Sequence, residues 1–573
     1  MSVNFSHELS LDGNASTNIP TSLKDIKILS SDKGCTSCSS SVRSDSPASL
    51  IQIALPTKSS GTGPGELGDR ERDVRRPFTR KFRTKHGFYV FDVNTNRIVP
   101  VNHAIYEIID DFGVLSVDEM IRKYSDVIPH DDIREAFTMI NAARNEQQLF
   151  LNHRPSEIMY PLDEQSLRRL YDERLQTMTL GVTEQCNLRC TYCGFSGTYE
   201  GHRVHNSKLM SFDVARKALD FLEQHSRLCE YVNLAFYGGE PLLGSRLIKQ
   251  CVAYANEIFR RRSVRYHMTT NGTLLTDENC RLLIDNDFGI MISVDGPKSI
   301  HDRYRLNVSE KGTYDRIATN LARLQRLDPV YYENNVRFSI VMPPPYDFRA
   351  IEEFINYSPL ARVARMRTAF VDDQDTTFFN RFSKDELNAS EVLNELKQEY
   401  RGALIAGEIN HHKPAQHHKF KLGLFAERFD KLASRMSPTN PFPEVYHPGG
   451  ICIPGMKTLF VTPEGNLFTC EKSSTATEKL QIGTLAEGLD ASKGMANIME
   501  YSNTHDGCRY CYASRHCGTC FVKAYSNGRF DRSTKVRQCN AHRSGFHSDL
   551  VDLMTVIEEN PSAIDYVKDM SFI

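Results

Sequence analysis

From about residue 176 the chain alternates between short apolar runs and amphipathic stretches. "TMTLGVT", "YVNLAFYGGEPLL", "VRYHMTTNGTLL", "FGIMISVDGP" and "VRFSIVMPP" read as strands. "FDVARKALDFLEQH", "LIKQCVAYANEIF" and "ENCRLLIDN" between them read as helices. Repeating βα units imply a parallel sheet, and right-handed crossovers curl it toward a barrel. The expectation is an α/β fold whose chemistry sits at the C-terminal ends of the strands. Each distinctive motif of this stretch falls at such an end.

The first of these motifs is "TEQCNLRCTYCGFSG", with Cys186, Cys190 and Cys193 on a loop that follows a strand. Thiolates this close on one loop suit zinc or an iron–sulfur cluster. Three thiolates leave a tetrahedral ion, or one iron of a cubane, without a protein ligand, and an open position is how a metal site keeps room for substrate. The chain has fifteen cysteines among 573 residues, and seven lie in the last 122. Clustered cysteines in a chain without export signals bind metal or do chemistry more often than they form disulfides.

Bulk properties narrow the setting. Net charge is −2, with 40% hydrophobic and 25% charged residues, so no whole-chain field points to nucleic acid. The start, "MSVNFSHELSLDG", lacks a basic region followed by an apolar one, and no apolar run approaches the ~18 residues of a membrane span. A cytoplasmic protein with no membrane and no nucleic-acid partner is expected.

Residues 1–75 read as a tail and linker rich in Ser, Gly, Thr and Asp, with Cys35 and Cys38 as an incidental pair. Eight Lys or Arg lie between Arg70 and Lys85 against two acids. That run suits either attraction of an acidic partner or a solvated linker face. "HGFYVFDV" and "NRIVPV" read as two strands joined by the turn "NTN". Ile105, Ile108, Ile109 and Phe112, then Ile133, Ala136, Phe137 and Ile140, follow at helical spacing. This predicts a small module of two strands and about three helices over 76–155. An α/β core over 156–380, a helical bridging segment over 381–446 and a cysteine-rich region with a terminal helix over 447–573 complete the division. The four histidines of "INHHKPAQHHKF" read as a solvated loop, and 447 to about 540 as poor in helix. Cys229, Cys251 and Cys280 read as structural thiols.

Four motifs together carry a specific resemblance. C-x3-C-x2-C with Tyr192 before the last cysteine, "YGGEPLL" at 237–243, "TTNGTLL" and "ISVDGPKSIHDRYR" resemble the radical S-adenosylmethionine (SAM) superfamily, in the same order and on the same elements. The resemblance implies that Cys186, Cys190 and Cys193 hold a [4Fe-4S] cluster and act as the catalytic centre. It implies that SAM occupies the unique iron, with Tyr192, Gly238, Gly239, Glu240, Ser293 and Arg305 as its binding residues. Glu240 would offset the SAM ammonium and Arg305 would pair with its carboxylate.

Downstream, Cys452-x12-Gly465-x4-Cys470, then Cys508-x2-Cys511-x5-Cys517, Cys520 and Cys539, resemble the SPASM domain, with one spacer two residues long instead of three. The resemblance implies two auxiliary [4Fe-4S] clusters. Cys508, Cys511, Cys517 and Cys539 would hold the farther one; Cys452, Cys470 and Cys520 the nearer, with a vacancy suited to a substrate thiolate. Sulfatase-maturing relatives carry an Asp base after the second of these cysteines, and Glu471 stands at that place.

The N-terminal module resembles the PqqD-like RiPP recognition element, which captures leader peptides as an added strand. "GFSGTYEGHRVHNSKLMS" resembles the same stretch of peptide thioether synthases. The expected fold is thus α/β: a partial (β/α)6 radical SAM barrel with an N-terminal winged-helix-like module and a C-terminal SPASM domain. The expected function is oxidative maturation of a ribosomally made precursor peptide, with a Cys thioether as product. A leader-bearing precursor peptide and an external electron donor of flavodoxin or ferredoxin type are the implied partners. C–C or C–O crosslinking, epimerisation and formylglycine formation stay open, as does a zinc-scaffolded peptide-binding protein.

Overall fold

The computed structural model describes residues 72–411, 414–448, 452–503 and 506–569. The tail, with Cys35 and Cys38, lies outside the described residues.

The chain first builds an antiparallel meander of β1 (Thr79–Arg83), β2 (Phe88–Asp92) and β3 (Arg97–Val101). Part of the basic run, which in sequence suits either an acidic partner or a solvated linker face, is therefore a strand. Its charges hid it: in "TRKFR" only Phe82 is buried. The turn into β3 is fixed by Asp92, whose carboxylate accepts from Thr95 N at 2.7 Å and Thr95 Oγ1 at 3.0 Å. Three helices follow: α1 (His103–Ile108), α2 (Val117–Tyr124) and α3 (His130–Gln147). Asn102 caps α1, and a Ser116–Glu119 capping box starts α2. Val90, Val99, Ile105, Ile109, Ile133 and Ile140 form the core under one face of the meander. Because side chains alternate along a strand, Phe82, Tyr89 and Phe91 fall on the other face and join a second core with the C-terminal helices.

A short strand β4 (Glu157–Ile158) and helix α4 (Glu164–Glu173) lead into the central sheet. Its parallel strands are β5 (Thr177–Thr183), β6 (Tyr231–Gly238), β7 (Ser263–Thr270), β8 (Gly289–Ser293), β9 (Val336–Met342) and β10 (Arg365–Phe370). They stand side by side in chain order. Helices α5 (Phe212–His225), α6 (Ser245–Ile258), α7 (Asp277–Asp285), α8 (Lys298–Tyr304), α9 (Tyr314–Leu327), α10 (Pro329–Asn335) and α11 (Phe348–Tyr357) fill the crossovers. Their apolar stripes and the sheet make one continuous core, which includes Cys251 and Cys280, both fully buried. Cys229 is half-buried.

Two helices, α12 (Ser390–Ile405) and α13 (Lys419–Arg435), occupy the bridging segment. Two of the histidines of this stretch are covered, while His417 is exposed, as a solvated loop predicts, and His412 lies outside the described residues. The His411 side chain is 2% exposed and stacks on Tyr566, and His418 is 5% exposed. After β11 (Val445–Tyr446), which pairs with β4, the chain returns to the central sheet. β12 (Leu459–Val461) adds to β5 in parallel, and β13 (Asn466–Phe468), β14 (Gln481–Thr484) and β15 (Gly488–Leu489) continue antiparallel. The cysteine-rich region holds more helix than its sequence suggests: α14 (Ala491–Asn503), and α15 (Arg532–Glu559), which begins well before residue 540. No helix among the described residues is long and apolar enough to cross a membrane.

Candidate active site

β5 delivers the chain to the C-terminal edge of the sheet, and the loop after Thr183 carries the three cysteines. Backbone bonds hold the loop: Glu184 N to Lys208 O at 3.0 Å, Arg189 N to Leu306 O at 2.7 Å and Thr191 N to Tyr304 O at 3.2 Å. The thiols face one another electrostatically. Burial pushes Cys186 up to about 11 and Cys190 up to about 12. Donors reach the sulfurs: Leu188 N at 3.4 Å and Asn271 Nδ2 at 3.9 Å from Cys186, Phe195 N at 3.5 Å from Cys193, and Arg305 Nη1 at 4.0 Å from Cys190. Cationic and amide donors of this kind stabilise a thiolate over a thiol.

These thiols line a cavity of about 450 Å³. Tyr192, Gly238, Gly239 and Glu240 line it too, and so do Ser293 and Arg305. Gly238 has φ +147°, and at either glycine an added Cβ would strike the backbone of residues 183–186. Only glycine lets β6 approach the cysteine loop this closely. Glu240 is fully buried, and both its oxygens are engaged. Oε1 accepts from Leu242 N (3.1 Å) and Thr270 Oγ1 (2.7 Å), and Oε2 from Asn271 N (2.7 Å). Burial lifts its carboxyl to about 7 against the pull of those donors. Its first task is thus to clamp the end of β6 to the end of β7. Ser293 closes β8, paired with Ser339 of β9, which also lines the cavity.

Arg305 has a partner that sequence reading did not assign. Its Nε lies 2.9 Å from Oδ2 of Asp295, which is fully buried. The same oxygen takes the Tyr192 hydroxyl, and Oδ1 accepts from Val341 N at 3.0 Å. Asp295 therefore ties the cysteine loop, the α8 exit and β9 together. It sat in the quoted "ISVDGP", but nothing in spacing pairs it with Tyr192. Tyr237, Asn271, Lys472 and Lys523 also line the cavity without having been singled out. Tyr237 is half-buried, and burial pushes its phenol up to about 12.

The later cysteines separate into two sets. Cys520 acts electrostatically on both Cys452 and Cys470. Cys508 and Cys517 act on both Cys511 and Cys539. Glu471 accepts from Thr458 Oγ1 at 2.8 Å, and it is Lys472 that lines the cavity there. Among the described residues no three His, Cys, Asp or Glu side chains converge on a single ion position. A cubane gives each thiolate its own iron, so its ligands stand farther apart than those around one zinc.

Residues 180–357 match the Radical SAM superfamily. They are a radical SAM domain. The domain is homologous to anaerobic sulfatase-maturating enzymes. The cysteine-type enzyme of Clostridium novyi (strain NT) is 32% identical over 156 residues, covering 26% of this chain and 40% of the relative. The serine-type enzyme of Bacteroides thetaiotaomicron is 29% identical over 153 residues, covering 26% and 37%. The chain spans less than half the length of these curated relatives. A solved structure, native anSMEcpe with bound AdoMet and Cp18Cys peptide, aligns with TM-score 0.48 and 14% identity, covering 69% of this chain and 99% of that one. The residues of the radical SAM domain fit its cofactors: three soft thiols with N–H donors face one cavity, and a glycine cradle adjoins them.

Proposed function

We propose that the protein is a radical SAM enzyme that modifies a polypeptide, joining a substrate cysteine sulfur to a carbon as a thioether. The observation that carries the radical SAM part is the convergence of Cys186, Cys190 and Cys193 with Gly238, Gly239, Ser293 and Arg305 on one cavity. Cys186, Cys190 and Cys193 would hold a [4Fe-4S] cluster, and the cavity would receive SAM. When bound, the pair supplies a 5′-deoxyadenosyl radical able to take a hydrogen atom from an unactivated carbon.

The chain's own residues do the rest. The glycine pair lets a ligand's backbone-like end lie against β6, and Glu240 keeps that turn rigid. The Nη1 side of Arg305 faces Cys190, which places a cation where a ligand carboxylate would add its charge. Tyr237, Phe370 and Leu480 help wall the cavity from water, which strengthens electrostatics inside it. Cys508, Cys511, Cys517 and Cys539 would hold one auxiliary cluster. Cys452, Cys470 and Cys520 would hold another with one ligand fewer, and this count supports the thioether reading. A thiolate drawn there would lie near cations, since Lys457 and Lys472 act on Cys452.

Modification of a polypeptide is favoured by the curated relatives, which are sulfatase-maturating enzymes. The module over 76–155, a three-stranded meander with three helices, supports capture of a leader segment, and an external flavodoxin- or ferredoxin-type protein would supply electrons. Formylglycine formation is the second reading, favoured by the same relatives. Against it stands Glu471, whose carboxylate is engaged by Thr458 and is not among the groups lining the cavity.

Anaerobic purification with iron and sulfide analysis tests this first. Iron-loaded protein should cleave SAM to 5′-deoxyadenosine, and Cys186→Ala should not. A precursor encoded beside the gene should become two hydrogens lighter and lose one alkylatable thiol. Colourless protein holding zinc would end the radical reading. An oxidised product with its thiols intact would end the thioether reading alone.

A further inference from the structure

The parallel strands of the central sheet have two faces. One packs on the helices; the other carries the catalytic cavity, through Tyr237 of β6, Thr269 of β7, Ser293 of β8 and Ser339 of β9. Side chains two apart on a strand share a face, and so do partners in register on neighbouring parallel strands. Toward the N-terminal ends of the strands that second face turns basic. Arg265 and His267 precede Thr269 on β7, and Arg337 precedes Ser339 on β9. On β10, Arg365 pairs with Arg337 and Arg367 with Ser339.

Arg265, Arg365 and Arg367 are exposed and Arg337 is half-buried; among the described residues none of the four has a carboxylate partner. Arg265 lies over the Tyr231 ring at 3.6 Å. Burial, together with the charge of Arg365 beside it, pushes the Arg337 guanidinium below its ordinary 12.5. His267 does not relieve the charge. Burial, Arg337 and Arg265 push it down to about 4, so it is neutral at pH 7. A Cβ at Gly289 would lie 2.9 Å from His267 Nδ1 and 3.4 Å from Arg337 Nη1, so glycine there leaves the room these two groups occupy.

Neighbouring strands stand about 4.8 Å apart, and like charges side by side on them are destabilising. Proteins break such local rules at functional sites. Guanidinium groups take carboxylates in bidentate pairs, and clusters of arginine are a recurring device for recognising acidic segments. Continuity with the catalytic cavity says which carboxylates these would take. Arg367 acts electrostatically on Tyr237 in the cavity wall. Ser339 and Val341 line the cavity on the same strand as Arg337, about 7 and 13 Å further along it. An extended polypeptide with its reacting residue in the cavity covers that distance in about two to four residues.

We propose that this arginine face sets substrate choice by binding acidic side chains that lie about two to four residues from the modified residue of the polypeptide. It rests on the polypeptide-modifying reading above and names the charge and the spacing that the reacting segment itself must carry. Arg337, Arg365 and Arg367 are specificity-determining residues in this role, removed from the reacting atoms. The face belongs wholly to the radical SAM domain.

The test uses the full-length, cluster-loaded protein without SAM. The probes are a fluorescein-labelled glycine–serine peptide with one cysteine and a glutamate three residues to either side of it, and its lysine-for-glutamate counterpart. Fluorescence anisotropy should show the glutamate peptide binding at least tenfold more tightly than the lysine peptide. Arg337→Gln with Arg365→Gln should remove that preference. Because it takes away a pair of like charges, the double variant should not lower the denaturation midpoint. Arg83→Gln with Lys85→Gln, which removes charge from the N-terminal module, should leave the preference as it is. Phenylglyoxal labelling read by mass spectrometry should show Arg337, Arg365 and Arg367 protected by the glutamate peptide. No preference between the peptides, a preference that survives in the double variant, or protection confined to Arg80 and Arg83 would overturn the proposal. If the double variant unfolds, Arg367→Gln alone must lower the preference, or the proposal falls. The two readings fail separately. Protein that cleaves SAM while the arginine variant keeps the preference refutes only this site; protein that shows the preference but never cleaves SAM refutes only the chemistry.

Discussion

Replacing Arg305 by Gln should destabilise the radical SAM domain by about 3 kcal/mol, because it strands a buried carboxylate. Asp295 is fully buried and Arg305 is 7% exposed, with Nε and Oδ2 2.9 Å apart. Two unit charges with centres about 4 Å apart attract by about 4 kcal/mol at an effective dielectric of about 20. Removing one partner of such a pair costs about 3–5 kcal/mol, since the other charge stays buried and unpaired. Asp295 keeps two donors, the Tyr192 hydroxyl and Val341 N, so the lower end applies. Asp295→Asn should cost a similar amount by leaving the guanidinium without its counter-charge. The double variant, which buries no unpaired charge, should be about 3 kcal/mol more stable than the sum of the single effects predicts. Labelling of Cys251 reads this directly in protein kept free of iron. That thiol is fully buried in the same core, so it reacts only when the core opens. About 3 kcal/mol corresponds to roughly a hundredfold in labelling rate. If the two single effects add within about 0.5 kcal/mol, the residues are not coupled. Arg305 would then be free to serve a ligand alone, and the clamp described here would be wrong.

Gly239→Ala should leave the fold intact and lower iron per chain by about one cluster's share, because its Cβ would strike the Gln185 carbonyl beside Cys186 and leave the later cysteine sets untouched; iron per chain and circular dichroism check both halves. Glu471→Gln should change product yield by no more than a few-fold, since its side chain is held by Thr458; loss of product with SAM cleavage retained would restore it as a base. Asp111→Asn tests the N-terminal module. Burial raises the Asp111 carboxyl, but hydrogen bonds from Lys123, Tyr124 and Arg76 outweigh that and hold it well below its ordinary 3.8. A depressed folded-state value gives stability that is present above pH 3.8 and lost as pH falls through the lower folded value. The variant should therefore unfold its module more readily at neutral pH and converge with the parent in acid, as followed by hydrogen exchange across β1–β3.

Five of the six parallel strands were legible because apolar residues run through them or alternate along them. β10 was not, since "RMRTAF" places Arg365 and Arg367 outward on the last strand of the sheet and only Met366 is buried. α14 was hidden by the Gly and Asn of "ASKGMANIMEYSN", residues of poor helix propensity that packing overrides. The cysteine loop and the glycine pair were readable because their spacing is local. The Asp295 clamp was not, because its partners lie 103 residues before it and 10 after it. His411 and His418 looked solvated for the same reason. What covers His411, Tyr566 with Asp430 beside it, comes from elsewhere in the chain.

The two parts of the candidate chemistry are joined by hydrogen-bonded backbone. Leu459, Phe460 and Val461 of β12 pair with Met178, Thr179 and Leu180 of β5. β5 runs on into Cys186, and the β12–β13 hairpin runs on into Cys470. A Cβ at Gly181 would lie 2.9 Å from the Phe460 ring, so glycine in β5 is what lets that ring lie flat against the strand. Tyr237, from the neighbouring strand, packs into the same apolar cluster as Phe460, Cys470 and Cys520. The distance from the first thiol set to the Cys470 set is therefore set by a sheet ladder and a packed core, both stiff, and not by the long bridging segment of α12 and α13 between them in sequence. For the thioether formation proposed above, in which a short-lived radical must meet one carbon and one sulfur, that stiffness matters, because reacting atoms must be held near contact distance. Insertions within residues 381–446 should be tolerated far better than a single side chain added at Gly181.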